Sequence, residues 1–162
     1  KMSIQFAPNQ TTCNLTHDMT IKLPAASMDR LTRNGEDSGT TFRLPIECAD
    51  ALAGTTSTRN IRAWLSSHDI LNDADSGTVL VNDDSTAGGV GISLKSPITG
   101  RDIIFSASSS GSDATTLLEI KAGDDIEKVN YISLNAYYKV YNVTALTAGE
   151  IVATAQIMFG YD

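Results

Sequence analysis

The sequence predicts an all-β fold built as an antiparallel sandwich. Residues that favour helices never recur at helical spacing over a long stretch, while Thr, Ser, Val, Ile and Gly dominate and turn dipeptides divide the chain into short segments. Eight or nine strand-like segments fall within 162 residues. That spacing is typical of a sandwich of immunoglobulin-like type.

Alternation of apolar and polar residues with a period of two locates each strand. One strand places Phe42, Leu44, Ile46 and Cys48 on a single face. Shorter strands are predicted at residues 19–23, 60–65, 78–81, 90–94, 102–105 and 117–120. Two long strands follow at 131–141 and 151–161, and the short connection between them predicts a hairpin-like or Greek-key pair of neighbours.

The last strand has a strongly apolar face. Six side chains should point to the core because they alternate without interruption: Ile151, Ala153, Ala155, Ile157, Phe159 and Tyr161. The Ser-, Thr- and Gly-rich segments 49–58 and 106–116 are predicted to be loops. Trp64 alternates away from Ile61, Ala63 and Leu65, so it is either a surface aromatic or part of a core under a second sheet.

Length and charge restrict the function. A chain of 17.2 kDa suits one domain, and we expect residues 1–162 to form it. Its net charge of −7 opposes binding to nucleic acid, whose phosphates need a basic surface. No apolar stretch approaches the roughly 18 residues of a membrane-spanning helix.

Nothing in the sequence indicates catalysis, a cofactor or a metal. Two Cys and two His residues, without a CxxC or HxxxH spacing, do not make a structural zinc site. His17 and His68 lack any nucleophile motif around them. Residues 72–77 resemble a calcium loop but lack its downstream Glu, so we interpret them as an acidic turn. We therefore expect no enzyme activity and no cofactor.

The two cysteines have two interpretations. An isolated pair is explained by one disulfide in an exported protein, or by two reduced, buried thiols in a cytosolic protein. The first interpretation is favoured because Cys48 ends the apolar face of a strand.

Four features occur together along the chain. They are Cys13 with the alternating run 41–48 that ends in Cys48, the segment 89–94 (GVGISL) followed by Gly100 and Ile103, the segment 134–138 (LNAYY), and a last strand with Gly149 fourteenth from the end and Tyr161 next to last. In this order they resemble the pilin domain of chaperone–usher fimbrial subunits.

The resemblance implies an immunoglobulin-like sandwich that lacks its last strand. A groove beside residues 151–161 would then accept a donor strand from a neighbouring subunit, after delivery by a periplasmic chaperone to an outer-membrane usher. It also implies a disulfide between Cys13 and Cys48, a chaperone anchor at the Asp162 carboxylate, and an extracellular location in a fimbria reached through the periplasm.

The N-terminus departs from the family pattern. Only twelve residues precede Cys13 and none is Gly. The alternating residues Met2, Ile4 and Phe6 are either a short donor segment or the first strand of the domain. This leaves a trimmed structural subunit or the pilin half of a two-domain tip adhesin, and a domain that itself binds a host receptor or glycan stays open as an alternative.

Overall fold

In a computed structural model of the chain, the described residues (1–5, 13–49, 54–71, 77–107 and 111–161) form nine strands. The elements in chain order are β1 (Met2–Gln5), β2 (Cys13–Leu15), β3 (Met19–Ile21), α1 (Met28–Asn34), β4 (Glu36–Cys48), β5 (Ile61–Ser66), β6 (Val90–Lys95), β7 (Leu118–Ile120), β8 (Val129–Val140), a short 3₁₀ helix (Val143–Ala145) and β9 (Ala153–Tyr161). Phe6, Asp162 and parts of the predicted loops 49–58 and 106–116, together with residues 72–76 of the acidic turn, lie outside the described residues.

The strands form two sheets, so the predicted all-β sandwich is confirmed. A five-stranded sheet has the order β3-β1-β9-β5-β7, and a four-stranded sheet has the order β2-β4-β8-β6. Neighbouring named strands run antiparallel except β1 and β9, which run parallel. The parallel pair therefore joins the N-terminal strand to the C-terminal strand, beside which the resemblance implied a groove.

The core lies between the two sheets. Leu44, Ile92 and Leu134 of the four-stranded sheet are buried against Leu65 and Ile157 of the other sheet. Period-two alternation supplies these side chains, and burying each contributes about 1.5–3 kcal/mol at full value.

The predicted neighbour pair of the two long strands is wrong. β8 pairs with β4 and β6, whereas β9 pairs with β5 and β1 in the other sheet. The chain crosses between the sheets through the 3₁₀ helix Val143–Ala145. Each long strand has one apolar face, and the crossing places one of these faces in each sheet, so they meet across the core from opposite sides.

Helix α1 was not predicted from the sequence. Ser27 caps its N-terminus by accepting a hydrogen bond from the Arg30 N–H, and Gly35 ends it in the left-handed conformation with φ of 76°. Only Leu31 is buried, so this seven-residue helix has no apolar periodicity to reveal it.

Two predicted strands are reduced to isolated bridges. Leu80 bridges to Ile70 and Ile92, and Asp102 bridges to Lys95. Residues around Leu80 therefore continue the edge of β6 without forming a named strand. Gly91 permits this approach, because a Cβ there would lie 2.7 Å from the carbonyl oxygen of Leu80.

The disulfide that the resemblance implied is present. Cys13 and Cys48 are opposite each other in the antiparallel pair β2–β4, and both are buried. The bond therefore holds the N-terminal segment to the end of the longest strand.

We predict that Gly91→Ala destabilises the domain by about 1–3 kcal/mol, because the added methyl overpacks against backbone that cannot turn away. Denaturant unfolding would measure the change. Gly39→Ala is the matched control, since its Cβ would meet only the Asn135 side chain, at 3.1 Å. Equal losses in the two variants would contradict this explanation.

We predict that replacing both Cys13 and Cys48 by Ala lowers the free energy of unfolding by about 2–5 kcal/mol, because the loop across 35 positions is no longer closed in the unfolded chain. Equilibrium denaturation measures this loss, and thiol titration of the unreduced native protein should find no free thiol. Two titratable thiols would refute the bond.

Candidate interaction groove beside the C-terminal strand

Strand β9 presents an apolar face to the core along its whole length. The buried side chains are Ile151, just before the strand, and Ala153, Ala155, Ile157 and Phe159 within it. Tyr161 is half-buried at the far end, with the Arg59 guanidinium 5.9 Å from its ring centroid. Because the two alanine side chains are small, the first half of this face is shallow and leaves space for side chains of a neighbouring strand.

The chain's own N-terminal strand occupies the sheet position beside this shallow half. β1 runs parallel to β9, with Met2 opposite Ala153 and Ile4 opposite Ala155. Met2 and Ile4 are both 0% exposed. The resemblance implied an exposed groove, whereas the described part of that groove is filled from within the same chain.

Strand β3 forms the other wall of this position. It pairs antiparallel with β1, with Ile21 opposite Met2 and Met19 opposite Ile4. In the described sheet β3 is the edge strand on this side, and β1 is its only strand neighbour. We call the position between β3 and β9 the slot.

Polar side chains complete the opposite edge of β9. The β5 pairing ends where Ser66 meets Gln156. Beyond that point Ser67 Oγ donates to the carbonyl of Thr154 at 2.6 Å, and the Thr154 N–H donates to Asp69 Oδ2 at 2.8 Å. Sequence reasoning missed these residues, because no spacing rule marks a side chain that replaces a strand.

Side chains also take the place of a neighbouring strand toward the start of β9. The Val152 N–H donates to Ser85 Oγ at 2.9 Å, and that hydroxyl donates back to the Val152 carbonyl at 3.1 Å. The Glu150 N–H donates to Thr86 Oγ1 at 2.7 Å. This edge of β9 is therefore satisfied by the body of the domain, independently of β1.

A cavity of about 500 Å³ adjoins the slot at the start of β9. Its lining includes Leu23, Leu31, Tyr138 and Ile151. Leu31 is the single buried residue of α1, so the unpredicted helix forms part of the cavity wall. At the same end, the terminal amino group of Lys1 donates a hydrogen bond to the Ile151 carbonyl at 2.6 Å.

Trp64 takes neither of its two predicted positions. Its side chain is on the outer face of the five-stranded sheet, yet it is 2% exposed. A Cβ on Gly111 would lie 2.1 Å from the ring, so the backbone at Gly111 covers it directly. Arg62 holds the Gly111 backbone over the ring by donating a hydrogen bond to the Gly111 carbonyl at 3.0 Å. Its guanidinium lies 4.6 Å from the centroid of the Trp64 ring.

A polar cluster lies on the outer face of the four-stranded sheet. The Tyr137 hydroxyl donates to Asp102, and Lys139 Nζ donates to the other oxygen of that carboxylate at 2.7 Å. Burial, reinforced by Asp102, raises the pKa of Tyr137 well above its ordinary value. The phenol therefore stays neutral and serves as a hydrogen-bond donor.

Two absences hold for the described ranges of the chain. No helix there is long and apolar enough to cross a membrane. No group of three or more His, Cys, Asp or Glu side chains in those ranges could hold a metal ion.

The family model described as "Fimbrial protein" matches residues 1–162. The chain belongs to this family. It is accordingly a fimbrial pilin. The slot between β3 and β9 is thus a feature of a pilin sandwich.

Among curated proteins, this pilin is similar to the uncharacterised fimbrial-like protein YehA of Escherichia coli strain K12, with 27% identity over 169 residues. The match covers 99% of this chain and 46% of YehA, so the chain spans less than half the length of that relative.

Solved pilus proteins share the fold. The P pilus rod subunit PapA matches with a TM-score of 0.62 and 15% identity over 98% of both chains. A subunit of a chaperone–usher pilus matches with a TM-score of 0.59 and 18% identity, over 93% of this chain and 87% of the other. The CupB6 tip adhesin from Pseudomonas aeruginosa matches with a TM-score of 0.50 and 17% identity, over 76% of this chain and 30% of the adhesin.

We predict that Asp69→Ala destabilises the pilin by about 1–3 kcal/mol, because the Thr154 N–H loses its acceptor. Unfolding in denaturant measures the loss, and faster hydrogen exchange at the Thr154 amide should accompany it. Asp84→Ala is the control, since Asp84 is exposed. Unchanged exchange at Thr154 would contradict the assigned bond.

Proposed function

We propose that this pilin is a structural subunit of an adhesive fimbria and that it assembles by donor-strand complementation. Residues 1–162 would act as one pilin-type domain, and the slot would accept a strand from a neighbouring subunit. The observation that carries the proposal is the strand beside β9, which buries Met2 and Ile4 completely yet belongs to the N-terminal end of the chain.

The slot suits a strand of foreign sequence. Ala153 and Ala155 leave room for apolar side chains, and the larger Ile157 and Phe159 limit how far the strand can shift. An incoming strand would add backbone hydrogen bonds and bury alternate side chains, each contributing about 1.5–3 kcal/mol. Several such side chains are comparable with the net stability of an ordinary domain.

The resemblance to chaperone–usher subunits supplies the remaining partners. A periplasmic chaperone would protect the slot before assembly, and an outer-membrane usher would receive the subunit. Asp162 would anchor the chaperone, and the assembled fimbria would be extracellular. The physical argument for a chaperone is that an open apolar edge promotes aggregation.

The second candidate is the pilin half of a two-domain tip adhesin. The partial coverage supports it, since the matches span 46% of YehA and 30% of the CupB6 tip adhesin. In that role the domain would accept a strand, and a separate domain would bind the host receptor. Direct sugar binding by this domain loses its main support, because Trp64 is covered.

The test uses a synthetic peptide, here called the donor peptide, that alternates Ile with Thr over the length of β9 and carries Lys at both ends. We expect it to form a one-to-one complex with the wild-type pilin and to raise its melting temperature. Gln156→Asp should keep this response because Gln156 points away from the core. Ala155→Asp should abolish it, since an unpaired charge would enter the slot.

Native mass spectrometry and thermal melts measure both effects. Equal responses of the two variants, or no complex with either the wild type or Ile4→Ala, would remove the proposal. For the two candidates, the full-length natural protein decides: an additional N-terminal domain would favour the tip adhesin.

A further inference from the structure

We propose that β1 is an internal stand-in for the donor strand, so that the pilin holds its own slot closed and a donor must displace β1 before it can bind. The inference rests on the proposed function and adds the regulation of the same site. Its starting point is that the slot lies between β3 and β9 and that β1 lies inside it.

The contacts of β1 are those of a strand that fills the slot. Met2 and Ile4 point to the core and are fully buried, whereas Gln5 is exposed. The backbone pairs on both sides, and the Ala153 N–H donates to the Lys1 carbonyl at 3.1 Å. A second strand cannot take the same hydrogen bonds while β1 holds them.

The described part of β1 pairs with four residues of β9. Its described pairing with β9 runs only from Ala153 to Gln156, whereas β9 continues to Tyr161. The pairing is also parallel, a geometry slightly less stable per residue than the antiparallel one. A donor that is free to run antiparallel along the whole of β9 can therefore outcompete β1.

Release of β1 leaves most of the domain's contacts intact. β5 pairs with β9 from Gln156 to Tyr161, and the side chains of Ser67, Asp69 and Ser85 hold the earlier part. The four-stranded sheet has no ladder with β1. The strand that loses its only neighbour is β3, the outer wall of the slot.

A tether keeps β1 close after it leaves. The chain reaches Cys13 after residues 6–12, and the disulfide fixes Cys13 to Cys48 on β4. A tethered strand has a high effective concentration, so it returns to the slot unless a donor is present. The result is a slot that is closed in the isolated subunit and opens transiently.

The donor peptide tests this by kinetics. If β1 must leave first, the observed binding rate of the wild type levels off at high peptide concentration, at the rate of β1 release. Ile4→Asp weakens β1 by placing a charge in the core. We expect it to raise the plateau by about tenfold or more and to tighten the apparent Kd similarly, since more of the pilin is open.

Gln5→Asp is the matched control, because it adds the same charge at an exposed position of the same strand. We expect its plateau to equal that of the wild type. If Ile4→Asp does not fold, Ile4→Ala serves instead, with an increase of about tenfold expected from its lost side-chain contacts. Hydrogen exchange at the Ala153 amide should speed up in the same order.

The outcomes separate the two proposals. Binding that is linear in peptide concentration, with one slope for all variants, overturns the closed slot and leaves donor-strand complementation standing. No binding by any variant, with Ala153 exchange still faster in Ile4→Ala, overturns complementation itself. A plateau that Ile4 variants raise and Gln5→Asp does not is the supporting result.

Discussion

The structure depends on supplying hydrogen bonds to both edges of β9. This strand lies inside a sheet, and unpaired backbone groups at a buried position are costly. One edge is served by β5 and then by Ser67, Asp69 and Ser85, all of which belong to the body of the domain. The other edge is served, in its described part, by the short strand β1. The two edges therefore differ in what occupies them: the body of the domain serves one, and the N-terminal strand serves the other.

The other sheet makes that difference tolerable. β4 and β8 pair from Glu36–Lys139 to Glu47–Val129, with one irregularity after Asp37. The disulfide adds β2 to this pair, and β6 completes the sheet on the other side. Half of the core is presented by a sheet in which β1 forms no ladder, so the proposed exchange of strands at β9 would leave that half in place.

Sequence reasoning succeeded where one physical pattern acted alone. Alternation located β9 and β4, since a half-buried strand needs little besides that pattern. It failed for α1, which two caps define and one buried residue holds. It also failed for the pairing of the long strands, because alternation shows that a strand has an apolar face and does not show which sheet carries it.

The slot itself was only partly predictable for a related reason. Its apolar face follows from the residues of β9, but its occupant follows from topology. Met2 and Ile4 alternate as either a donor or a first strand would, and only the pairing of Met2 with Ala153 shows where they lie. The side chains of Ser67 and Asp69 replace a strand with no regular spacing at all.

The chemistry of the slot explains why strands of different sequence could use it. Backbone hydrogen bonds do not depend on side-chain identity, so they set the direction and extent of pairing without selecting a sequence. Selection among strand sequences would come from the core-facing side chains of β9, where two alanines precede Ile157 and Phe159. A strand displaced by one residue would bury its polar side chains, and one displaced by two would press large side chains onto Ile157. In the proposed complementation, register is therefore set by residue size along β9, and affinity by how much of β9 a strand can cover.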